Sequence, residues 1–543
     1  MRRLIALWAM VALALPAAKS QENLLTTAEK SGFKSTSTYA DVISFIEKLK
    51  KSSPYVRVGN IAKSVEGREV PLLIIGKPLP QSPESIRNDG RIVVYVQANI
   101  HAGEVEGKEA TLMFARDLLK EKDPVLLRDV VFLICPIFNP DGNEPISPRN
   151  RTYQNGPVNG VGVRYNGQFL DLNRDAMKAE SPEVRGAISN IFDKWDPAVF
   201  MDCHTTDGSY HVEPVTFTWM VNPAGDTSLI YYMRTKMVPQ MSATLLNKYK
   251  TLNCFYGEFN DLLKPETGWF YDAFEPRYMT NYYGLRNRLA ILNENYVYAG
   301  FESRVKGCYN LIWSLGDYVS AHKDEIRGML KKADERTIAR GLNPTVKDSF
   351  PVGFKVRALP EKVTIMTYEA QLVADSNGRK IYRKTDHRED VTVPYYIDYY
   401  PSKSVRFPYA YLITVHDPAV IGLLKLHGIR LESLSKPSKL GVEEFRITDL
   451  NGAPRLNQGH YTNTVEGKFE ETSIDFPSGT IVVRTAQPLA DVAAYLLEPE
   501  SDDGLLTWNF LDRYLVPQWG MGYNPYPIYK ILNKTELSTV PLK

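Results

Sequence analysis

The sequence predicts an α/β fold, with a mixed and largely buried β-sheet flanked by helices, followed by a smaller β-rich domain. From about residue 91, short apolar runs alternate with segments of helical periodicity, a pattern typical of one layered α/β domain. The predicted strands are Ile92–Val96, Val130–Ile134, Ala198–Met201 and Leu289–Leu292. The predicted helices are Glu106–Leu119, Pro182–Trp195 and Asn310–Lys332.

Two further elements precede this alternation. Thr38–Lys51 has helical periodicity, and the segment VRVGNIAKSVEGREVPLLIIG alternates around a Glu-Gly turn, as a β-hairpin does. After a connection expected at residues 335–350, short β-rich runs separated by Pro, Gly and Asn-Gly turns dominate. We therefore expect an α/β domain over residues 21–340 and a β-rich accessory domain over residues 345–543.

The N-terminus has the pattern of a signal peptide over residues 1–20. Arg2 and Arg3 precede an apolar run, Leu4–Leu15, and small residues follow before Gln21. The apolar run is too short for a comfortable membrane span. We therefore expect an exported protein, periplasmic or extracellular, that keeps no stable membrane insertion after signal removal.

Composition narrows the classes of function. The chain has 543 residues and a formal net charge of +2, so there is no strong electrostatic case for a nucleic-acid partner. It has four cysteines. Cys135 and Cys203 lie in apolar runs and are predicted to be buried. Cys254 and Cys308 could pair, but their spacing does not decide this. The sequence leaves the oligomeric state open.

Two segments carry residues of the type that bind metals. His101 and Glu104 follow a predicted buried strand in the turn HAGE, and His204 follows another in AVFMDCHTTDG. A His-x-x-Glu pattern alone is more often structural than functional. Two histidines and one carboxylate that meet, with room for water, form the ligand set of a catalytic zinc. The three residues together therefore predict a metallohydrolase.

Further polar residues lie near these segments in the predicted fold. Asn173 and Arg174 end a DLNR run, and Arg164 lies nine residues before Asn173. Arginine with asparagine offers donors suited to a carboxylate, and a second guanidinium can stabilise an oxyanion. Glu294 follows the strand Leu289–Leu292, where a carboxylate beside a metal can serve as a base. Surface salt bridges and a turn are the alternative for the two arginines and Asn173, and a solvated strand-end carboxylate is the alternative for Glu294.

Together these motifs resemble the zinc carboxypeptidase family, typified by the pancreatic carboxypeptidases. The resemblance comprises HAGE, FNPDGNE (138–144), the arginine nine residues before the Asn-Arg pair, DCHTTDGSY, ILNENY and the upstream hairpin SVEGREVPLLIIGK. It covers roughly residues 35–335. The β-rich tail is not part of the family's catalytic domain and is similar to accessory domains of some bacterial members.

The resemblance implies a catalytic role for five residues. His101, Glu104 and His204 would bind one Zn²⁺. Glu294 would be the general base and then the general acid. Arg164 would polarise the scissile carbonyl and stabilise the oxyanion.

It also implies how substrate is held. Asn173 and Arg174 would bind the terminal carboxylate, which makes the enzyme an exopeptidase. A family tyrosine that closes on the substrate corresponds here to Tyr271, which lies 23 residues before Glu294. The competing candidates are Tyr278, Tyr282 and Tyr283.

The leading hypothesis is a zinc metallocarboxypeptidase that acts on peptides with a free C-terminal carboxylate. One alternative is a carboxypeptidase of cell-wall muropeptides with D-amino acids or γ-linkages, since the resembled family includes members with such activities. The sequence after the Asn-Arg pair and the stretch 207–268 depart from the family's pattern, so the resemblance does not give the side-chain specificity. The alternative of another class is a catalytically inactive peptide-binding protein. Retention of the three ligands, Arg164 and Glu294 argues against it.

Overall fold

The computed structural model describes residues 24–542 apart from residues 88, 122, 123 and 207. The predicted signal peptide therefore lies outside the described residues. Among the helices that are described, none combines the length and the hydropathy that a bilayer crossing needs.

The first region contains strands and helices in alternation. Its strands are β1 (Val56–Lys63), β2 (Glu69–Ile75), β3 (Ile92–Ala98), β4 (Val130–Cys135), β5 (Val199–Thr206), β6 (Val215–Trp219), β7 (Asn253–Phe255), β8 (Glu258–Phe259), β9 (Trp269–Phe270) and β10 (Leu289–Tyr296). Its helices are α1 (Thr27–Lys30), α2 (Tyr39–Ser52), α3 (Glu106–Lys120), α4 (Leu126–Asp129), α5 (Pro140–Asn143), α6 (Pro182–Gly186), α7 (Thr227–Tyr232), α8 (Val238–Asn247), α9 (Met279–Leu285) and α10 (Phe301–Leu342).

An eight-stranded mixed sheet forms the centre of this region, in the order β1-β2-β4-β3-β5-β10-β6-β7. Its middle strands, β4-β3-β5-β10, are parallel, whereas β2 pairs antiparallel with β1 and β4, and β6 pairs antiparallel with β10. Every residue of β3 and β4 is buried, which explains why these strands are continuous apolar runs. The predicted mixed, buried sheet flanked by helices is confirmed.

The parallel strands decide where the polar side chains meet. β3 ends at Ala98, shortly before His101, and His204 lies near the carboxyl end of β5. β10 runs parallel to β5 with Glu294 directly opposite His204. Carboxyl ends of neighbouring parallel strands open onto one crevice, so these residues share one edge of the sheet.

The last helix of this region is longer than predicted. α10 runs from Phe301 to Leu342, with one non-helical residue, His322 (φ −122°, ψ 16°). Residues 335–342, which we expected to belong to a connection, are therefore helical, because the segment ERTIARGL consists mainly of residues that tolerate a helix. The helix ends before Pro344, since proline disfavours helical geometry in the residue before it. The connection is thus confined to residues 343–348.

The rest of the chain is rich in strands, as predicted. Its strands are β11 (Ser349–Ala358), β12 (Val363–Ala374), β13 (Lys380–Val393), β14 (Tyr395–Arg406), β15 (Ala410–Ile413), β16 (Glu432–Leu434), β17 (Ser438–Gly452), β18 (Asn463–Phe476), β19 (Ile481–Arg484), β20 (Ile528–Ile531) and β21 (Thr539–Pro541). Its helices are α11 (Pro418–Leu426), α12 (Ala490–Leu497) and α13 (Asp512–Leu515).

The β-rich region is tied to the first region by shared sheets and a shared core. A seven-stranded sheet is formed in the order β18-β17-β20-β15-β19-β16-β21, and β12 and β13 form a hairpin. The sheet β11-β14-β9-β8 combines strands of both regions, with β9 parallel to β14. One apolar cluster also includes buried residues of both. The division near residue 345 stays a prediction.

The cysteines do not form disulfides. All four are unpaired and buried, and the Cys308 thiol donates to Asn293 Oδ1 at 3.3 Å. The pairing of Cys254 with Cys308 that the sequence left open is therefore absent. The structure relies on its apolar core instead.

His427 forms a buried polar contact between the two regions. Its Nδ1 accepts a hydrogen bond from the Tyr282 hydroxyl at 2.7 Å, and its Nε2 donates to the Met177 carbonyl at 2.9 Å. Burial lowers the pKa of His427 to about 3, and the charges of Arg286 and Arg185 act in the same direction. The imidazole is therefore neutral in the folded protein.

We expect His427 to make folding sensitive to acid. An unfolded histidine titrates near pH 6.5. The unfolded chain therefore binds more protons than the folded chain between about pH 3 and pH 6.5, and the free energy of unfolding falls as pH falls through that window. His427→Gln keeps an acceptor and a donor but does not titrate. When pH falls from 7 to 4.5, the free energy of unfolding measured in urea should fall by up to about 3 kcal/mol less for this variant than for wild type.

The matched control is His387→Gln, which changes an exposed histidine of β13. It should follow the wild-type pH profile. Equal acid sensitivity of the His427→Gln variant and wild type would contradict the assignment.

Candidate metal centre and active site

The three predicted metal ligands lie together at the carboxyl ends of β3 and β5. The Nδ1 atoms of His101 and His204 are 3.3 Å apart. Glu104 contacts both rings, with Oε1 at 3.1 Å from His101 Nδ1 and Oε2 at 3.2 Å from His204 Nδ1. All three side chains are buried. Two ring nitrogens and a carboxylate therefore face one point that is shielded from bulk water.

The turn after β3 is shaped to bring its two ligands together. Asn99 adopts a left-handed conformation (φ 65°), and its side-chain amide donates to two carbonyls of the turn, including that of Glu104, at 3.1 Å each. The Glu104 backbone N–H donates to the His101 carbonyl at 2.9 Å. A Cβ at Gly103 would lie 2.6 Å from the Arg151 side chain. Glycine is thus required between the two ligands by close packing.

An aspartate accompanies the outer nitrogen of each histidine. His101 Nε2 lies 2.9 Å from Asp171 Oδ1 in a hydrogen bond. His204 Nε2 lies 2.9 Å from Asp202 Oδ2, within ion-pair range but without the alignment of a hydrogen bond. Assigning each ring proton to Nε2, beside its aspartate, leaves the lone pairs of both Nδ1 atoms facing each other and Glu104.

This arrangement fits a metal ion. Two lone pairs and a carboxylate that face one another repel unless a cation lies among them. Two imidazole nitrogens and one carboxylate, with carboxylates behind the rings, form the donor set of a catalytic zinc. The potential ligand atoms of His101, Glu104 and His204 all lie within 4.8 Å of one another.

Glu104 is held by more than the histidines. Thr205 N donates to Oε2 at 3.0 Å, and Arg151 Nη1 lies 3.1 Å from Oε1. Arg164 Nη1 is farther away, at 3.8 Å. Burial favours protonation, but the neighbouring His101 imidazole and the Arg151 guanidinium outweigh it and hold the pKa of Glu104 well below its usual value. The carboxylate is thus ionised and fixed in place, as a metal ligand must be.

Asp171 joins the metal ligands to the cationic side chains. Its Oδ1 accepts from His101 Nε2 and, at 3.0 Å, from the Asn173 backbone N–H. Its Oδ2 accepts from Arg164 Nε at 2.8 Å, with Arg164 Nη2 at 2.7 Å and Arg174 Nη1 at 3.9 Å. Burial raises the pKa of Asp171, but His101 and the arginines outweigh burial and place the pKa far below the usual range.

The predicted carboxylate-binding pair lies just beyond Asp171. Asn173 Oδ1 accepts from the Met279 backbone N–H at 3.0 Å and so fixes the start of α9. Among the described residues, its Nδ2 group has no partner. The Arg174 guanidinium lies over the Tyr278 ring, 4.2 Å from the centroid, and is partly exposed. Both residues therefore keep donors available at the edge of the site.

Glu294 lies beside the metal ligands on the neighbouring strand. It faces His204 across the β5–β10 pairing, and the charges of Arg164 and Arg151 also act on it. Burial raises the pKa of Glu294 to about 8, although the neighbouring His204 imidazole opposes the shift. The Tyr256 hydroxyl accepts from Thr206 Oγ1 at 3.3 Å, and burial, followed by the Glu294 charge, raises the pKa of this hydroxyl.

The candidate tyrosines differ sharply in environment. Tyr271 is 3% exposed, and its backbone N–H and carbonyl are bonded to the Tyr396 carbonyl and the Tyr399 hydroxyl. Movement of its ring onto substrate would take the ring out of a buried position on a fixed backbone, and its role as the closing tyrosine stays a prediction. Tyr282 and Tyr283 are fully buried and bonded elsewhere, to His427 and the Pro197 carbonyl. Tyr278 alone of the four predicted candidates stacks on Arg174.

Comparison with known proteins agrees with this geometry. Residues 42–218 match the family described as zinc carboxypeptidase. The chain carries a zinc carboxypeptidase domain. It is a peptidase of the metallocarboxypeptidase class, and zinc is the metal that this family implies for the His-Glu-His site. The matched stretch contains the three candidate ligands, Arg164 and Arg174 but ends before Glu294.

Individual relatives extend beyond this stretch. Carboxypeptidase 2 of Trichophyton rubrum is 22% identical over 501 residues, which cover 87% of this chain and 84% of the relative. Carboxypeptidase D of Rattus norvegicus is 29% identical over 167 residues, which cover 29% of this chain and 11% of the relative. Carboxypeptidase A from Helicoverpa armigera has a TM-score of 0.38 and 18% identity, covering 55% of this chain and 75% of that chain.

Some residues of the carboxypeptidase site were missed by sequence reasoning. Asp171 lies two positions before Asn173, in DLN, and Asp202 lies two positions before His204, in DCH. An acidic residue so close to a candidate site residue could have been predicted to support a metal-binding histidine. Arg151 and Tyr256 gave no such signal, because loop packing alone brings them to Glu104 and Glu294.

We expect Asp202→Asn to weaken zinc binding by roughly ten- to a hundred-fold, because a neutral amide polarises His204 less than a carboxylate does. The dissociation constant can be measured by competition with a chromogenic chelator. Asp386→Asn, which alters an exposed carboxylate on β13, is the control and should bind zinc as wild type does. Unchanged affinity in Asp202→Asn would remove Asp202 from the metal site.

Proposed function

We propose that this protein is a zinc-dependent carboxypeptidase that removes residues from the free C-terminus of peptides. The observation that carries the proposal is the convergence of His101, Glu104 and His204 on one point, with Glu294 opposite His204. A cationic side chain suited to a carboxylate, Arg174, lies at the edge of the same site. That arrangement supports hydrolysis next to a terminal carboxylate rather than within a chain.

The proposed chemistry divides between the metal and the chain. Zinc held by His101, Glu104 and His204 would supply Lewis-acid polarisation of a water molecule and of the scissile carbonyl. The Glu294 carboxylate accepts the proton of the attacking water and delivers it to the leaving amine nitrogen. Arg164 donates to the oxygen on which negative charge develops, and Asp171 fixes the guanidinium that does so.

Substrate position is set by the residues beyond Asp171. Arg174 and the Asn173 Nδ2 group bind the terminal carboxylate, and this contact places the last peptide bond beside Glu294. Tyr271 remains the predicted closing residue, and Tyr278 is the alternative that its stacking on Arg174 supports. We also propose that the protein is exported, which rests on the pattern of residues 1–20.

Glu294→Gln should abolish turnover while zinc stays bound. The amide cannot accept the proton of water, and we expect kcat to fall by roughly a hundred-fold or more. Zinc content by elemental analysis and release of the last residue from a blocked dipeptide are the two measurements. Glu335→Gln, at an exposed position of α10, is the control. Activity that survives in Glu294→Gln would contradict the mechanism.

Arg174→Ala should lower the activity of the enzyme on substrates with a free C-terminus. Loss of a charge-assisted hydrogen bond of about 1.5–3 kcal/mol predicts a kcat/KM lower by roughly 10- to 150-fold, mainly through KM. The comparison is between a peptide acid and the corresponding peptide amide, which wild type should not cleave. Arg379→Ala, with an exposed side chain on the hairpin, is the control. If the peptide amide is cleaved as fast as the acid by wild type, the enzyme is not an exopeptidase of this kind.

A substrate panel separates the remaining alternatives. Wild type should cleave ordinary L-peptides. Cleavage of muropeptides alone would favour the cell-wall alternative. Binding of both classes without any cleavage would favour the inactive binding protein.

A further inference from the structure

The β-rich region reaches the catalytic centre through one loop. β17 and β18 form a hairpin, and the residues between them, 453–462, form its loop. Within it, Gln458 has a left-handed backbone (φ 51°), and its Oε1 accepts the Asp171 backbone N–H at 2.7 Å. Asp171 is the residue whose carboxylate holds His101 and Arg164. Gln458 is thus connected to the candidate metal ligand His101 through a single residue, Asp171.

Other contacts hold this loop against the same segment. His460 Nε2 lies 2.9 Å from Glu180 Oε1, and Asn457 and His460 bond to each other through their backbones at 2.8 and 3.0 Å. The Asn509 amide donates to the Tyr461 carbonyl at 3.0 Å. The loop is therefore fixed on both sides of Gln458.

A second set of contacts flanks the carboxylate-binding residues. Arg277, which immediately precedes Tyr278, donates from Nε to Asp503 Oδ2 at 3.1 Å. The Trp508 ring lies near both Arg277 and Lys178, with cation-to-centroid distances of 5.5 and 5.6 Å. The β-rich region thus braces the segments that carry Asp171 and Tyr278, rather than packing only on a remote face.

We propose that Gln458 is a positioning residue for the peptidase reaction. By accepting the Asp171 N–H it fixes the backbone from which the Asp171 carboxylate reaches His101 Nε2 and the Arg164 guanidinium. It does not touch substrate, and it acts through Asp171 alone. This inference rests on the proposed function, because only in a zinc peptidase do the orientations of the His101 ring and the Arg164 guanidinium govern the rate.

The test compares two substitutions of similar size. Gln458→Met removes the acceptor, and Gln458→Glu keeps one. We expect Gln458→Met to lower kcat roughly three- to tenfold with KM changed less, and to weaken zinc binding by a similar factor, because one hydrogen bond is lost. Gln458→Glu should restore at least half of the loss in kcat and at least half of the loss in zinc affinity. Arg455→Met, an exposed position in the same loop, should behave as wild type.

Three results would overturn the proposal. Wild-type kcat and zinc affinity in Gln458→Met would show that the contact does not position Asp171. Equal losses in Gln458→Met and Gln458→Glu would show that the acceptor is not the cause, and a lower Tm alone would mean a purely structural role. If wild type cleaves no peptide, the proposed function fails, but zinc affinity still tests Gln458.

An independent observation concerns a second cluster of metal-binding side chains. His211, Glu213 and Cys254 are all buried, and their donor atoms lie within 4.8 Å of one another. Among the residues that the structure describes, His211 Nδ1 has no hydrogen-bond partner, although the residue is only 3% exposed and the atom lies 3.5 Å from Glu213 Oε2. A buried ring nitrogen that has no hydrogen-bond partner and lies close to a carboxylate and a thiol is typical of a metal site in which no ion is present.

We infer that this cluster is a second zinc site with a structural role. A thiolate, a carboxylate and an imidazole are ligands that zinc prefers, and the fourth position would fall to water or a carbonyl. Two anionic ligands neutralise Zn²⁺, which suits a buried position. Binding releases the Cys254 thiol proton to solvent. Glu213 also accepts the Met366 backbone N–H at 3.0 Å, so the site would tie β12 to the carboxypeptidase sheet.

Cobalt substitution of the whole protein tests this site directly. The candidate catalytic centre has no cysteine, so a thiolate-to-cobalt charge-transfer band reports on Cys254 alone. We expect two metal ions per chain, a charge-transfer band in wild type, and loss of the band with one ion remaining in Cys254→Ser. Cys135→Ser, another buried cysteine, should keep the band. One metal ion per chain, or two without the band, would overturn the inference whether or not peptides are cleaved.

Discussion

The buried carboxylate of Asp171 binds at once to a histidine proposed to hold zinc and to the arginine proposed to stabilise the oxyanion. Its two oxygens are divided between these tasks, Oδ1 for His101 and Oδ2 for Arg164. A change in the backbone at this residue would therefore alter the metal ligands and the cationic group together. Such a shared contact keeps the two in register, and it explains why the Asp171 backbone itself is held, by Gln458 from the other end of the chain.

The sequence was sufficient to predict residues that the sheet itself positions. His101, His204 and Glu294 each follow an apolar run that becomes a parallel strand, and parallel strands bring their carboxyl ends together. Glu104 shares a short turn with His101, so its proximity required only local geometry. The convergence of these four side chains could therefore be predicted without knowing any tertiary contact beyond strand order.

Residues that loops position could not be predicted in this way. Arg151 reaches Glu104 because a loop folds over Gly103, and no periodicity records that approach. Gln458 and Asp171 are 287 residues apart in the chain. The extent of α10 was missed for a related reason. The sequence of residues 335–342 permits a helix without requiring one, and the segment packs closely on the β-rich region, where a Cβ at Gly341 would lie 2.2 Å from the Thr485 backbone.

Charge explains why so many arginines surround an acidic metal site. Three arginines, Arg151, Arg164 and Arg174, lie among four carboxylates, those of Glu104, Asp171, Asp202 and Glu294. The positive charge of bound zinc would favour the ionised form of Glu294, so that the four carboxylates, the three arginines, neutral histidines and a divalent zinc together would carry one excess positive charge. A substrate carboxylate beside Arg174 would neutralise it. Because burial of net charge is unfavourable, the zinc-loaded site would favour a peptide with a free C-terminus, whose carboxylate brings it to neutrality.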